Sequence, residues 1–311
     1  MEYYTYANGD KMPMLGLGTW QSDPAVLYDA VVEAVRYGYR HIDCAYIYQN
    51  EEVIGKALKF LLDNGEVKRE ELWITSKLWN SYHRREQVIP ALKECLERLQ
   101  LDYLDLFLVH WPVAFRDGVK FPEKAEDLVP LSERPLTETW KGMEEAHKAG
   151  LTRHIGVSNF SVKKLRDLLP QCEIRPENNQ VELNAYMQQG KLVEYCFEEN
   201  ISVTAFSPLG KGNQAFKGGI NLYEDPVIQK IAAEQHCTVG QVLLKWAMQR
   251  GIIVIPKSTN PARLRENFDA VRVALTTDDM EAICRLDRNH RMSAGWFFPD
   301  SSYTYDNLWD E

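Results

Sequence analysis

The sequence predicts an α/β protein: a (β/α)8 TIM barrel with an N-terminal extension, extra helices and a C-terminal tail. Three observations carry that expectation. Short apolar runs alternate with amphipathic helical stretches about eight times along the chain. The runs are almost continuously apolar, as parallel strands covered on both faces are. No Gly/Ser/Pro-rich linker divides them, so residues 1–311 read as one domain, with a tail from about 287 to 311 over the barrel mouth. Eight strand–helix units favour a closed barrel over an open doubly wound sheet.

The units follow in order. An apolar run at 15–20 precedes a helical period at 24–37. The run at 40–45 precedes a helix at 51–63, and the run at 72–78 a helix at 85–99. The strongly apolar run 104–109 leads through a long loop to a helix at 136–149. Next come a run at 155–158 with a helix at 162–169, and a run at 179–183 with a helix at 189–199. The run 201–207 passes through another loop to two helices, 225–235 and 239–249. The last run, 252–256, precedes a helix at 261–271, and from about 276 an extra helix and the tail remain.

Composition narrows the function classes. The chain is 45% hydrophobic with a formal net charge of -9. That balance argues against a nucleic-acid or anionic-membrane binder, which needs a broad basic surface. It leaves room for an anionic cofactor in a local basic pocket. The six cysteines form no C-x-x-C pair and no His cluster accompanies them, so no metal site is expected. The first residues lack a basic segment followed by an apolar one, and no apolar run approaches the length of a membrane span. A cytoplasmic monomer or weak homodimer with reduced thiols is expected.

The strand ends point to chemistry. Asp43 follows Arg40-His41-Ile42, Lys77 follows Ile74-Thr75-Ser76, and His110 follows Leu106 to Val109. Ser158 and Asn159 follow Ile155-Gly156-Val157, and Lys257 follows Val254-Ile255-Pro256. In a barrel these ends share one face, where such folds carry their active sites. Reduction of a carbonyl needs a hydride donor, an acid for the developing alkoxide and donors to hold the oxygen. Side chains supply no hydride, so a nicotinamide must. A phenol can be the acid, a nearby ammonium can lower its pKa, and a carboxylate can fix the ammonium. The chain offers Tyr48, Lys77, Asp43 and His110 for these parts.

The motifs that carry these residues are LGLGTW, GYRHIDCAYIYQNEEVIGKAL, ITSKLWN, LDYLDLFLVHWP, GVSNF, NNQVELN, FSPLG and IPKST. In this order the chain resembles the aldo-keto reductases, with most likeness to the aldose and aldehyde reductase branch. The resemblance implies a catalytic tetrad: Tyr48 as acid, Lys77 as modulator of its pKa, Asp43 as partner of Lys77, and His110 as orienter of the carbonyl. It also implies NADPH as cofactor, with NADH a weaker alternative. Ser158, Asn159 and Gln180 would bond the nicotinamide carboxamide, and Phe206 would stack on its ring. Thr19, Trp20, Asp43, Ser207, Pro208 and Leu209 complete the implied cradle, with Ser258 and Thr259 beside Lys257. Lys257 and Arg263 suit a 2′-phosphate by charge and donor geometry, and Glu266 and Asn267 match positions near the adenine.

A Rossmann reading fails, because Leu15-Gly16-Leu17-Gly18-Thr19 holds only half of G-x-G-x-x-G. Lys211-Gly212-Asn213 departs from the family, which has a serine and an aspartate clamping the pyrophosphate there. Trp20, Ile47, Tyr48, Trp79, His110, Trp111 and Phe121 match the family's apolar substrate pocket. The tail adds Trp296, Phe297, Phe298, Tyr303, Tyr305 and Trp309, half of which are expected simply to pack on the barrel. The implied function is reduction of a small carbonyl substrate. The competing reading is a cofactor-binding regulatory or structural barrel, against which the full tetrad argues. Enone-reducing relatives carry a glutamate where this chain has His110.

Overall fold

The first elements precede the repeating units. In the computed structural model, which describes residues 1–210, 221–295, 298 and 303–310, two short strands form an antiparallel hairpin: β1 (Tyr3–Thr5) and β2 (Lys11–Pro13). Barrel strands β3 (Leu17–Gly18), β4 (His41–Asp43), β5 (Trp73–Leu78) and β6 (Leu104–Val109) follow. The loop after β6 holds a second hairpin, β7 (Ala114–Phe115) and β8 (Leu128–Val129). The barrel then resumes with β9 (Thr152–Ser158), β10 (Asn178–Glu182), β11 (Ser202–Phe206) and β12 (Ile253–Val254).

All neighbouring barrel strands pair in parallel, in the order β12-β11-β10-β9-β6-β5-β4-β3. Parallel bridges from Leu15 to Val254 and from Gly18 to Lys257 close the ring, and Gly16 N–H donates to the Val254 carbonyl at 2.8 Å. Backbones approach closely at this seam. A Cβ on Gly18 would stand 2.6 Å from the Ile255 carbonyl oxygen, so only glycine fits without a shift.

The helices begin where local chemistry starts them. Asp23 caps α1 (Pro24–Tyr37), whose first residue is proline. Then come α2 (Glu51–Asp63), α3 (Arg85–Leu99), α4 (Leu136–Lys148), α5 (Val162–Leu168) and α6 (Gly190–Glu198). Asp225 caps α7 (Pro226–Glu234), and Thr238 and Gln241 form a capping box on α8 (Val239–Gln249). Asn260 caps α9 (Pro261–Asp269), and α10 (Thr277–Cys284) and α11 (Tyr305–Trp309) complete the chain. Successive helices pack side by side, α1 on α2, α2 on α3 and α3 on α4, and so sheath the strands.

The main core joins the strands to the inner faces of the helices, with Ile42, Ile74, Leu106, Leu108, Val203 and Val254 fully buried. A second cluster lies beside the mouth and includes Ile47, Trp79, Trp111, Phe115, Phe298 and Trp309. All six thiols are free. No helix among the described residues is long and apolar enough to cross a membrane.

Candidate active site

The parallel register brings the expected residues to the carboxyl ends of the strands. Asp43 ends β4, Lys77 lies one residue before the end of β5, and His110 follows β6. Ser158 ends β9 and Asn159 follows it in a left-handed conformation (φ 63). Tyr48 closes a 3-10 turn, Tyr46–Tyr48, and left-handed Gln49 (φ 56) redirects the chain into α2. That turn carries the phenol back over the ends of β4 and β5.

Lys77 is fully buried and its Nζ has three acceptors. It donates to Asp43 Oδ2 at 2.7 Å, to the Cys44 carbonyl at 2.8 Å and to the Tyr48 hydroxyl at 3.3 Å. An ammonium has three protons and accepts nothing. Tyr48 Oη is therefore the acceptor in its contact with Lys77, and its own proton is free for another partner. Gln180 Nε2 donates to Asp43 Oδ1 at 2.8 Å, so both oxygens of that buried carboxylate are engaged. The ring of Tyr48 lies 5.8 Å from His110, edge to face, and 4.9 Å from Trp20.

Two opposing influences set the acidity of Tyr48. Burial raises its pKa and the Lys77 ammonium lowers it; burial wins, and the phenol is pushed up to about 12. The expected ammonium effect is present but does not bring the value below that of a free phenol. Burial also disfavours the charge on Lys77, but Asp43 and Tyr48 outweigh it and hold the ammonium above its ordinary value. His110 is driven well below the usual imidazole range by burial, then by Lys77, so at neutral pH it carries one ring proton.

The residues expected to hold a nicotinamide line the same face. Asn159 Nδ2 donates to the His110 carbonyl at 2.9 Å, while its Oδ1 is buried without a partner among the described residues. An orphaned amide oxygen beside the tetrad fits a carboxamide N–H. Ser158 Oγ donates to the Gln180 carbonyl at 2.8 Å, and Phe206 ends β11 half-buried, followed by left-handed Ser207 (φ 49), Pro208 and Leu209. Thr19 Oγ1 donates to the Asp43 carbonyl at 2.7 Å.

Lys257 and Arg263 are exposed at the start of α9, with buried Ser258 and half-buried Thr259 between them. The Asn260 side chain already takes the N–H groups of Ala262 and Arg263. An anion there would rely on the two basic side chains. Glu266 Oε1 is occupied by Thr238 Oγ1 at 2.7 Å, and Asn267 is buried. Lys211-Gly212-Asn213 lies outside the described residues.

Aromatic walls surround the tetrad. Trp79 meets His110 edge to face at 5.2 Å and anchors its loop by donating to the Lys120 carbonyl at 2.8 Å. Phe121 is exposed and packs on Trp79, while Ile47 and Trp111 are buried. Phe298 and Trp309 pack on Trp111 at 5.6 and 5.9 Å. Tyr303 Oη donates to the Val129 carbonyl at 2.6 Å, tying the tail to the β7–β8 hairpin. Trp296, Phe297 and the side chain of Tyr305 lie outside the described residues.

Three ties escaped the sequence reading. These are Gln180 to Asp43, Asn50 Nδ2 to the Thr19 carbonyl at 2.9 Å, and Ser76 Oγ to Glu51 Oε1 at 2.6 Å. Asn50 and Glu51 stand in the motif that carries Tyr48, but neither ends an apolar run, so periodicity does not mark them.

A closed parallel barrel here gathers a buried ammonium, a carboxylate and a proton-bearing phenol at its mouth, a set able to deliver a proton to a carbonyl oxygen. Comparison with known proteins agrees. The model of the Aldo/keto reductase family matches residues 14–288. The chain is 50% identical over 317 residues to Aldo/keto reductase slr0942 of Synechocystis sp., spanning 100% of this chain and 97% of that protein. It is 42% identical over 287 residues to Aldo-keto reductase family 1 member A1 of Mus musculus, spanning 91% and 88%. The solved structure of the aldose reductase from Schistosoma japonicum superposes with a TM-score of 0.88 at 40% identity, covering 96% of each chain. The chain belongs to the aldo/keto reductase family, oxidoreductases that act on carbonyl groups with nicotinamide cofactors.

Proposed function

We propose that this protein reduces aldehydes or ketones to alcohols with NADPH, and that Tyr48 protonates the carbonyl oxygen. The observation that carries the reading is the hydrogen-bond count at Lys77. Its three protons are spent on Asp43, Cys44 and Tyr48, which leaves the phenolic proton directed elsewhere. The cofactor supplies the hydride when bound. His110, neutral and buried against Trp79 and Tyr48, can donate one hydrogen bond to orient the carbonyl. Trp20, Ile47, Trp79, Trp111 and Phe121 give the substrate apolar walls with few polar anchors.

NADPH is favoured over NADH by Lys257 and Arg263, two exposed cations where a 2′-phosphate would lie. Glu266 Oε1, an acceptor that a free ribose hydroxyl could use, already takes the Thr238 hydroxyl. We read residues 1–311 as one domain working in the cytoplasm on a small carbonyl compound.

The test is kcat/KM for an aromatic aldehyde with each cofactor. NADPH should exceed NADH by about tenfold or more, the worth of a charge-assisted phosphate contact. Preference for NADH would overturn the cofactor assignment. Tight NADPH binding without turnover across a carbonyl panel would favour the regulatory or structural barrel instead.

A further inference from the structure

Glu51 is an unusual charge for the barrel wall. It opens α2, and its carboxyl group is 1% exposed. A buried carboxylate costs several kcal/mol unless its oxygens are well paired. Here the pairing is partial. Ser76 Oγ donates to Oε1 at 2.6 Å. Arg98 comes only to 3.7 Å of Oε2, and it is engaged by Glu94 and by the ring of Tyr46. Oε2 has no hydrogen bond of ordinary geometry among the described residues. The Cys95 thiol, a weak donor, also lies beside the Glu51 carboxyl group. An apolar residue would be the cheaper occupant, so stability does not account for the carboxylate.

Its location does. Glu51 stands three residues after Tyr48, across left-handed Gln49, and Ser76 is the residue before Lys77 on β5. Strand alternation sends Ser76 toward α2 and Lys77 into the barrel. The Glu51–Ser76 bond thus joins, from behind, the two backbone segments whose inward side chains meet at the Tyr48 hydroxyl. Asn50 holds the same turn from its other side through the Thr19 carbonyl.

We propose that Glu51 is a positioning residue, whose bond to Ser76 keeps the Tyr48 hydroxyl against the Lys77 ammonium. The proposal rests on the reading of Tyr48 as proton donor. Cut the tether, and the turn can recede from β5, weakening the one contact that eases proton release. The residues expected to hold the cofactor lie mainly on β9, β10, β11 and α9, away from the tether.

The experiment compares Glu51→Ala, Glu51→Gln and Ser76→Ala with the wild type and with Tyr48→Phe. The readouts are Tm, NADPH affinity by fluorescence titration, kcat, KM and the solvent deuterium isotope effect on kcat. Glu51→Ala and Ser76→Ala should lose about tenfold or more in kcat, with KM and NADPH affinity within about twofold, because small misplacements of a reacting group are costly. Their isotope effect should rise as proton transfer becomes the slower step. Glu51→Gln keeps an acceptor for Ser76 and should return kcat to within about threefold of wild type. A merely structural role would lower Tm and leave the isotope effect unmoved. If Glu51→Ala does not fold, Ser76→Ala decides, since it removes one hydroxyl. Unchanged kcat and isotope effect in folded Ser76→Ala, with Tyr48→Phe inactive, overturn the proposal alone. An active Tyr48→Phe overturns it together with the assignment of the acid.

Discussion

Lys77 couples stability and chemistry in a single side chain. Its ammonium neutralises buried Asp43, and it is the influence that pulls the Tyr48 pKa down against burial. Lys77→Met therefore has two expected effects. Among the described residues the Asp43 carboxylate then keeps only the Gln180 amide, and breaking a buried pair from one side costs roughly 3–5 kcal/mol, visible as a lower Tm. The phenol also holds its proton more tightly. In the proposed mechanism reduction uses the protonated phenol, so activity is expected to be lost as pH rises through its raised value of about 12. Without Lys77 that loss moves to still higher pH, while kcat at neutral pH falls by about 10²-fold or more. The check is kcat from neutral into alkaline pH beside a melting curve. A folded, active variant with an unchanged profile would remove Lys77 from the mechanism. Arg263→Ala should raise KM for NADPH by about ten- to a hundredfold and that for NADH far less. Equal losses would mean that Arg263 contacts the shared adenosine instead.

Among the elements, the N-terminal hairpin has the clearest separable role. Tyr6, just after β1, stacks on His154 at 4.4 Å and on Trp73 at 5.6 Å, and its hydroxyl meets Ser202 Oγ at 3.1 Å. These partners lie at the amino ends of β5, β9 and β11, opposite the tetrad. Asp10 adds an ion pair to Arg153 and a 3.0 Å contact with His154 Nε2. The hairpin thus plugs the barrel floor. Tyr6→Ala should cost roughly 3–5 kcal/mol of stability and leave kcat of the folded fraction unchanged. A large loss of kcat below the melting transition would contradict a purely structural plug. Elements of this kind were poorly legible in the sequence. The long helical periods and the six-residue strands β5 and β6 declare themselves by periodicity and apolar length. The hairpin strands β1, β2, β7 and β8 are too short to show a period, whereas β3 and β12 fall inside the apolar runs 15–20 and 252–256 and are legible by those runs.

The same contrast holds for the site within the whole molecule. Asp43, Lys77 and His110 were legible because each ends an apolar run, and the closed parallel ring brings such ends together. The ties from Gln180 to Asp43 and from Glu51 to Ser76 were not, because they join polar side chains of separate strands and helices whose facing only the folded barrel decides. Burial of titratable groups also gives the whole fold a pH dependence. Burial lowers His41 to about 4 and His83 to about 3, and drives His110 well below its usual range. The unfolded chain binds these protons near pH ~6.5, so the folded state loses stability as pH falls through that point toward the folded values. Buried Glu51, Asp105 and Glu182 are pushed upward and pull the other way as pH falls from their raised folded values to the ordinary carboxylate value, while the three imidazoles, which protonate first in the unfolded chain, set the expected direction on mild acidification. Tm should therefore fall on mild acidification from neutral pH. A flat Tm through the ordinary histidine range would contradict the burial of neutral imidazoles.

The central claim is that the Tyr48 proton, left free by Lys77, is the one given to the substrate. Single-turnover reduction of an aromatic aldehyde by Tyr48→Phe tests it most directly, with NADPH affinity measured on the same sample. The substitution removes one hydroxyl from a ring already held by Trp20 and His110. Cofactor affinity should stay within about twofold, while the rate falls by about 10²–10⁴-fold, the range of general acid catalysis. A variant that keeps more than about a tenth of the wild-type rate would contradict the claim, because its acid would have to lie elsewhere.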